Sequence, residues 1–197
     1  MRYRKTLLTA ALAAVATMTT TAAIAAPALH SSARAGAAQA DAATTRLRLT
    51  PSSPDLARCM PGAKVKITVN STTDAVGFDS FTVRARHLPP NRDFTVFLLE
   101  TAGAPFGAAQ YIGDVTTDAN GRADNTFHLI VDEAFSSTLV NGQRVRVDLN
   151  QVGMWFADPA DDDFCLGPNS PVTPFDGDNE AGVQAFNSAN TGALPAP

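Results

Sequence analysis

From Lys64 to Asn70 apolar and polar residues alternate without a break: Val65, Ile67 and Val69 share one face, and Lys64, Lys66, Thr68 and Asn70 the other. A period of two marks a strand buried on one side, so this stretch predicts a half-buried antiparallel strand. Residues 80–88 repeat the pattern, with Phe81, Val83 and Ala85 inward and Thr82, Arg84 and Arg86 outward. Pro89-Pro90-Asn91 ends that strand, because proline has no N–H to give a ladder. Residues 94–99 favour β structure and are apolar on both faces, as a central or loop-covered strand requires. Residues 111–117 and 123–131 flank Asp118-Ala119-Asn120-Gly121, whose Asn-Gly supplies the positive φ of a hairpin turn. Those two strands are therefore expected to pair. Residues 145–149, which follow Asn141-Gly142, and residues 153–157 add one or two more strands.

About seven short strands at regular spacing, with no amphipathic helix between them, predict an all-β fold. An immunoglobulin-like antiparallel β-sandwich fits best, with a small β-barrel as the alternative. The two cysteines lie outside the strand core and Trp155 comes late. Neither therefore takes the place of the antibody-type inter-sheet disulfide or its neighbouring Trp.

The ends read differently. Arg2, Arg4 and Lys5 precede Leu7-Leu8 and an Ala-rich run, the layout of a secretory signal peptide over residues 1–25, cut after Ala25. Residues 26–56, rich in Ala, Ser and Thr, have no sustained period and read as a flexible spacer, although residues 46–50 alternate enough to begin a strand. The β domain is expected over residues 57–168. A Pro- and Gly-rich tail is expected over 169–197, partly disordered, with Val183 and Phe186 spaced for one helical turn.

At Leu88-Pro89-Pro90-Asn91, in residues 94–98 and at Thr117-Asp118-Ala119-Asn120-Gly121, the chain resembles secreted actinobacterial proteins with immunoglobulin-like β domains, over roughly residues 64–149. The resemblance implies an exported sandwich. It is one of turn and strand grammar, and it brings no catalytic or binding residue with it.

The chain has 197 residues and a formal charge of -4, with 15 Lys and Arg against 19 Asp and Glu. Cleavage after Ala25 removes three cations, leaving 12 basic against 19 acidic residues and a charge of -7. With no basic run in the body, nucleic acid is not expected as a partner. The balance favours a cationic ligand or a divalent metal over an anionic cell-wall polymer or lipid. No membrane span is expected, and export leaves an extracellular protein or carbohydrate as the partner class. Two cysteines in an exported chain predict one disulfide, Cys59 to Cys165.

Catalytic motifs are missing from the sequence. His30, His87 and His128 have no metal-ligand spacing, and no nucleophile elbow, zinc-binding pair or phosphate loop occurs. This points to a secreted non-enzymatic β-sandwich protein with an extracellular structural or interaction role; the alternatives are a secreted hydrolase built from the late acidic loops and a calcium-binding extracellular module. Those loops hold Asp158, Asp161, Asp162 and Asp163 before Cys165, and Asp176, Asp178 and Glu180 after it. Asp176, Asp178 and Glu180 are candidate calcium ligands, since alternate carboxylates about a Gly can face one ion. They depart from the EF-hand loop, with Ala181 where it wants Gly and Asn187 where it wants Glu. Trp155 and Phe156 are expected as core at the end of the last strand, with a carbohydrate platform as the other role. Asn70-Ser71-Thr72 matches a glycosylation acceptor.

Overall fold

The computed structural model describes residues 44–71, 77–131, 134–174 and 180–194. The expected signal peptide lies outside them, as do residues 26–43 of the spacer.

Ten strands and two short helices are present among the described residues: β1 (Thr44–Pro51), α1 (Pro54–Cys59), β2 (Lys64–Asn70), β3 (Asp79–Arg86), β4 (Asp93–Leu99), β5 (Ala109–Thr116), β6 (Ala123–Leu129), β7 (Phe135–Val140), β8 (Gln143–Asp148), β9 (Gln151–Phe156), α2 (Asp163–Leu166) and β10 (Gln184–Asn187). A 3-10 turn, Pro159–Asp162, leads into α2. Eight strands form one antiparallel sheet in the order β5-β4-β9-β10-β1-β2-β3-β6.

The alternation seen in sequence sets the register. Val65, Ile67 and Val69 of β2 stand opposite Ala85, Val83 and Phe81 of β3, and all six are buried. β4 is buried from Phe94 to Leu99 because Phe94, Val96 and Leu98 enter the main core on one face while Phe97 and Leu99 pack with Trp155, Ala181 and Phe106 on the other, which is why both its faces are apolar. The sheet wraps around one core that takes Ile67, Val69, Phe81 and Val83 from one half and Phe94, Val96, Met154 and Phe156 from the other. Phe94 and Phe156 meet with ring centroids 5.0 Å apart. Burying each such ring contributes about 1.5–3 kcal/mol.

The halves β1-β2-β3-β6 and β10-β9-β4-β5 join where β1, after running along β2, meets β10 through Thr50↔Asn187 and Pro51↔Phe186. On the far side β5 and β6 lie alongside each other without a ladder. A side chain at Gly113 of β5 would meet the Phe127 ring at 2.3 Å, so the gap is filled by an aromatic ring resting on a glycine. The result is all-β and antiparallel, and its near-closure fits the barrel alternative. The strand order, with β2 and β3 as consecutive neighbours, differs from an antibody domain, where the second strand pairs with the fifth.

Four expectations need correction. The strands around Asp118–Gly121 do not pair: β5 joins β4, β6 joins β3, and the turn carries the chain between the two halves. The folded region begins before residue 57, because residues 44–59 form β1 and α1 within the expected spacer. Ser53 starts α1 by accepting the Leu56 N–H at 3.2 Å, with Pro54 in its first turn. The expected helical turn around Val183 and Phe186 is instead β10, buried along its whole length. Nor is the described end a loose tail: Leu194 is buried, and its N–H reaches the Asn150 carbonyl at 2.7 Å.

β7 and β8 form a separate hairpin. Asn141 at φ 50 and Gly142 at φ 79 make the two-residue turn between them. At Asn120-Gly121 only the glycine has positive φ, so the same dipeptide makes a different turn there.

Candidate functional site

The disulfide is formed, with Cys59 at the end of α1, Cys165 in α2 and their Cα atoms 5.6 Å apart. Beside it opens a surface groove of about 760 Å³. Buried Met60 and Leu88 line it with Cys59, Gly62 and the prolines Pro61, Pro89 and Pro90, and Lys64, His87, Arg92 and Phe164 complete the lining. Three of these can carry positive charge, and none of the described lining residues is a carboxylate.

Hydrogen bonds fix the wall at residues 87–92. The Leu88 N–H donates to the Gly121 carbonyl at 3.1 Å, and the Asn91 N–H to the Asp118 carbonyl at 3.2 Å. Thr117, buried, donates its hydroxyl to the Pro89 carbonyl at 2.7 Å and accepts the Arg92 N–H at 3.0 Å. These contacts tie the 118–121 turn to the 88–91 turn, while inside it the Gly121 N–H donates to the Asp118 carbonyl at 2.9 Å and the Asp118 N–H to the Arg122 carbonyl at 2.8 Å. Gly121 is required there, because a Cβ would lie 2.0 Å from the Leu88 carbonyl oxygen and φ is +65. The Asp118 carboxylate accepts the N–H groups of Arg122 at 2.9 Å and Asn120 at 2.8 Å, and those bonds hold its pKa below the usual 3.8.

Three of the late acidic residues, Asp158, Asp161 and Asp162, serve the fold. Asp158 accepts the Ala160 N–H at 2.8 Å and so starts the 3-10 turn. Asp161 pairs with Arg92 at 2.5 Å; burial raises its pKa above the usual carboxylate value, and the guanidinium opposes the rise. Asp162, fully buried, accepts the Val183 N–H at 2.8 Å and the Ser170 hydroxyl. Ser170 and Val183 are thereby tied to the 3-10 turn.

Of the calcium candidates, Asp176 and Asp178 lie outside the described residues and Glu180 is exposed. Among the described residues no three His, Cys, Asp or Glu side chains gather as a metal site would require. His128 is exposed on β6, His87 lies in the groove, and His30 is outside the described residues. Trp155 and Phe156 are both buried. Trp155 packs with Phe97, Leu99 and Phe106 on the outer side of β4 and β9, so it is core rather than a platform. Asn70 donates its side-chain amide to the Ser80 hydroxyl at 3.0 Å, and Thr72 of the acceptor triplet lies outside the described residues.

Two features were not anticipated from sequence. One is the groove, whose residues come from segments about 100 positions apart, from Cys59 to Phe164. The other is a smaller hollow of about 350 Å³ at the β3–β6 border, lined by Arg84, Arg86, Arg122, Asp118 and Asp124. Lys64 of the groove stands directly opposite Arg86 of this hollow in the β2–β3 ladder. No protein-family model matches the chain, and no curated protein matches it.

Proposed function

We propose that the protein is an exported, non-enzymatic β module that binds an extracellular ligand through the surface at its disulfide end. The observation that carries this reading is the closed Cys59–Cys165 bond beside an open groove. Disulfides persist in oxidising compartments, which supports export. The groove lining mixes proline and phenylalanine rings with Lys64, His87 and Arg92, a combination suited to holding a ligand. His87 has no carboxylate or hydroxyl among the described lining residues to orient it or to be activated by it, whereas hydrolysis needs such a pairing. Of the late Asp residues on which a hydrolase would draw, Asp158, Asp161 and Asp162 are engaged in capping the 3-10 turn, pairing with Arg92 and holding Val183. No helix among the described residues is long and apolar enough to cross a membrane.

Expression of the whole chain with its leader tests export. The expected product is in the culture medium, begins at Ala26, and has a mass two hydrogens below that of the reduced form. Protein retained in the cell, with both cysteines open to alkylation without prior reduction, would overturn the reading.

A further inference from the structure

We propose that the outer face of the β1-β2-β3-β6 half docks an anionic polysaccharide. The proposal names the ligand class of the exported module described above and rests on that reading. Basic residues recur at alternate positions on three neighbouring strands: Arg46 and Arg48 on β1, Lys64 and Lys66 on β2, Arg84 and Arg86 on β3. Alternation puts each pair on the same side of its strand, and the inward positions between them, Leu47, Val65 and Ala85, are buried. All six cations are exposed.

Register brings them together. Arg48, Lys66 and Arg84 form one cross-strand row that ends on Asp124 of β6, and Lys64 and Arg86 stand opposite each other two residues away along the strands. Neighbours in a row are about 4.8 Å apart and rows about 6.8 Å apart. Like charges directly opposite each other oppose folding. Three such pairs occur here: Arg48 with Lys66, Lys66 with Arg84, and Lys64 with Arg86. Among the described residues, the Arg84–Asp124 contact at 3.0 Å is the ion pair these six cations make. An arrangement that works against the fold, on a chain whose overall charge is negative, is accounted for by an anionic partner.

The rest of the face selects among polyanions. The next row holds Arg46, Thr68, Thr82 and Thr126, and the one beyond it Thr44, Asn70, Ser80 and His128. Hydroxyl and amide groups beside cations suit a chain bearing both sugar hydroxyls and sulfate, phosphate or carboxylate groups, which arginine grips in bidentate fashion. No aromatic ring other than the His128 imidazole stands in these rows for successive bases to stack on, and no large apolar side chain to enter a lipid layer. The face is exposed, meets the groove at Lys64, and holds at its β3–β6 border the hollow lined by Arg84, Arg86, Arg122, Asp118 and Asp124.

The test is affinity of the mature oxidised protein for dextran sulfate, with neutral dextran, a single-stranded oligothymidylate of equal charge and anionic phosphatidylglycerol vesicles as the other arms. Dextran sulfate is expected to bind, neutral dextran not to bind, and the oligothymidylate and vesicles to bind more weakly. Released counterions should make log K fall with log salt by about 0.7 per neutralised charge. Lys66→Ala with Arg86→Ala should lower affinity at least tenfold and flatten that slope by about 1.4. Arg144→Ala with Arg146→Ala, the same loss of charge on the β7–β8 hairpin, should leave both within twofold. Equal losses from the two variants, no dextran sulfate binding, or preference for the oligothymidylate or vesicles would each overturn the proposal. The export assay is independent of all of them, so failure here leaves that reading to stand or fall on its own.

Discussion

Replacing both cysteines by alanine removes a link that closes a loop of 106 residues. In the chain-entropy treatment that link takes about 16 cal/mol/K from the unfolded chain, or about 4.8 kcal/mol at 25 °C. Strands β2 to β9 lie within the loop, while β1 and β10 lie outside it and meet at the seam. Because that seam and the Asp162 bond to Val183 also hold the chain ends, the Cys59→Ala, Cys165→Ala variant is expected to remain β-folded at 20 °C. With an unfolding entropy of about 2.1 cal/mol/K per residue over roughly 150 residues, Tm should fall by about 15 °C. Differential scanning calorimetry measures the fall, and wild-type protein reduced with dithiothreitol should melt within a few degrees of the variant. A fall of less than about 5 °C would refute the loop-entropy reasoning. A fall in the variant but not in reduced wild type would assign the loss to packing of the cysteine side chains.

Gly121→Ala should cost about 2–4 kcal/mol in denaturant unfolding, since it combines a left-handed backbone with contact at the Leu88 carbonyl. Gly142→Ala, with a similar φ but open space around it, should cost only about 1 kcal/mol. Equal costs would show that the 88–91 turn does not lean on residue 121. Asp162→Ala leaves the Val183 N–H without its acceptor and should cost about 1–3 kcal/mol, with faster amide exchange at Val183 and Ala185; unchanged exchange would contradict the role given to Asp162. Asp118 has a folded pKa below 3.8, so its contribution is present above 3.8 and is lost as pH falls through the lower folded value. Asp118→Ala should therefore destabilise at pH 6 and converge on wild type in strong acid, and a difference that persists unchanged into strong acid would refute the sign.

β2, β3 and β4 were legible nearly to the residue because each carries either clean alternation or a continuous apolar run, and burial follows those patterns directly. The pairing of β5 was not legible. Asp118–Gly121 has hairpin composition and makes its own turn bonds, yet it also accepts the Leu88 and Asn91 N–H groups, a distant contact that local sequence does not reveal. β10 escaped because Gln184, Asn187 and the adjoining Ser188 are polar but buried, satisfied by bonds such as Gln184 to the Ala102 carbonyl at 2.9 Å. β7 escaped for the opposite reason: Phe135 and Leu139 are apolar but exposed, Phe135 being covered in part by Arg146 at 4.2 Å. The basic face was present in sequence as three pairs of cations, each spaced two apart. A search for basic runs passes over such pairs, and net charge hides them, because only strand pairing sets them side by side.

The most direct test of a binding, non-catalytic module is a ¹H–¹⁵N titration of the oxidised mature protein with dextran sulfate, followed over hours with the sugar signals recorded in the same tube. Amide shifts are expected along β1, β2 and β3 and at Gly62 and His87 on the groove rim, with the polysaccharide unchanged in length. Shifts centred on the β7–β8 hairpin, or progressive shortening of the polysaccharide, would contradict it.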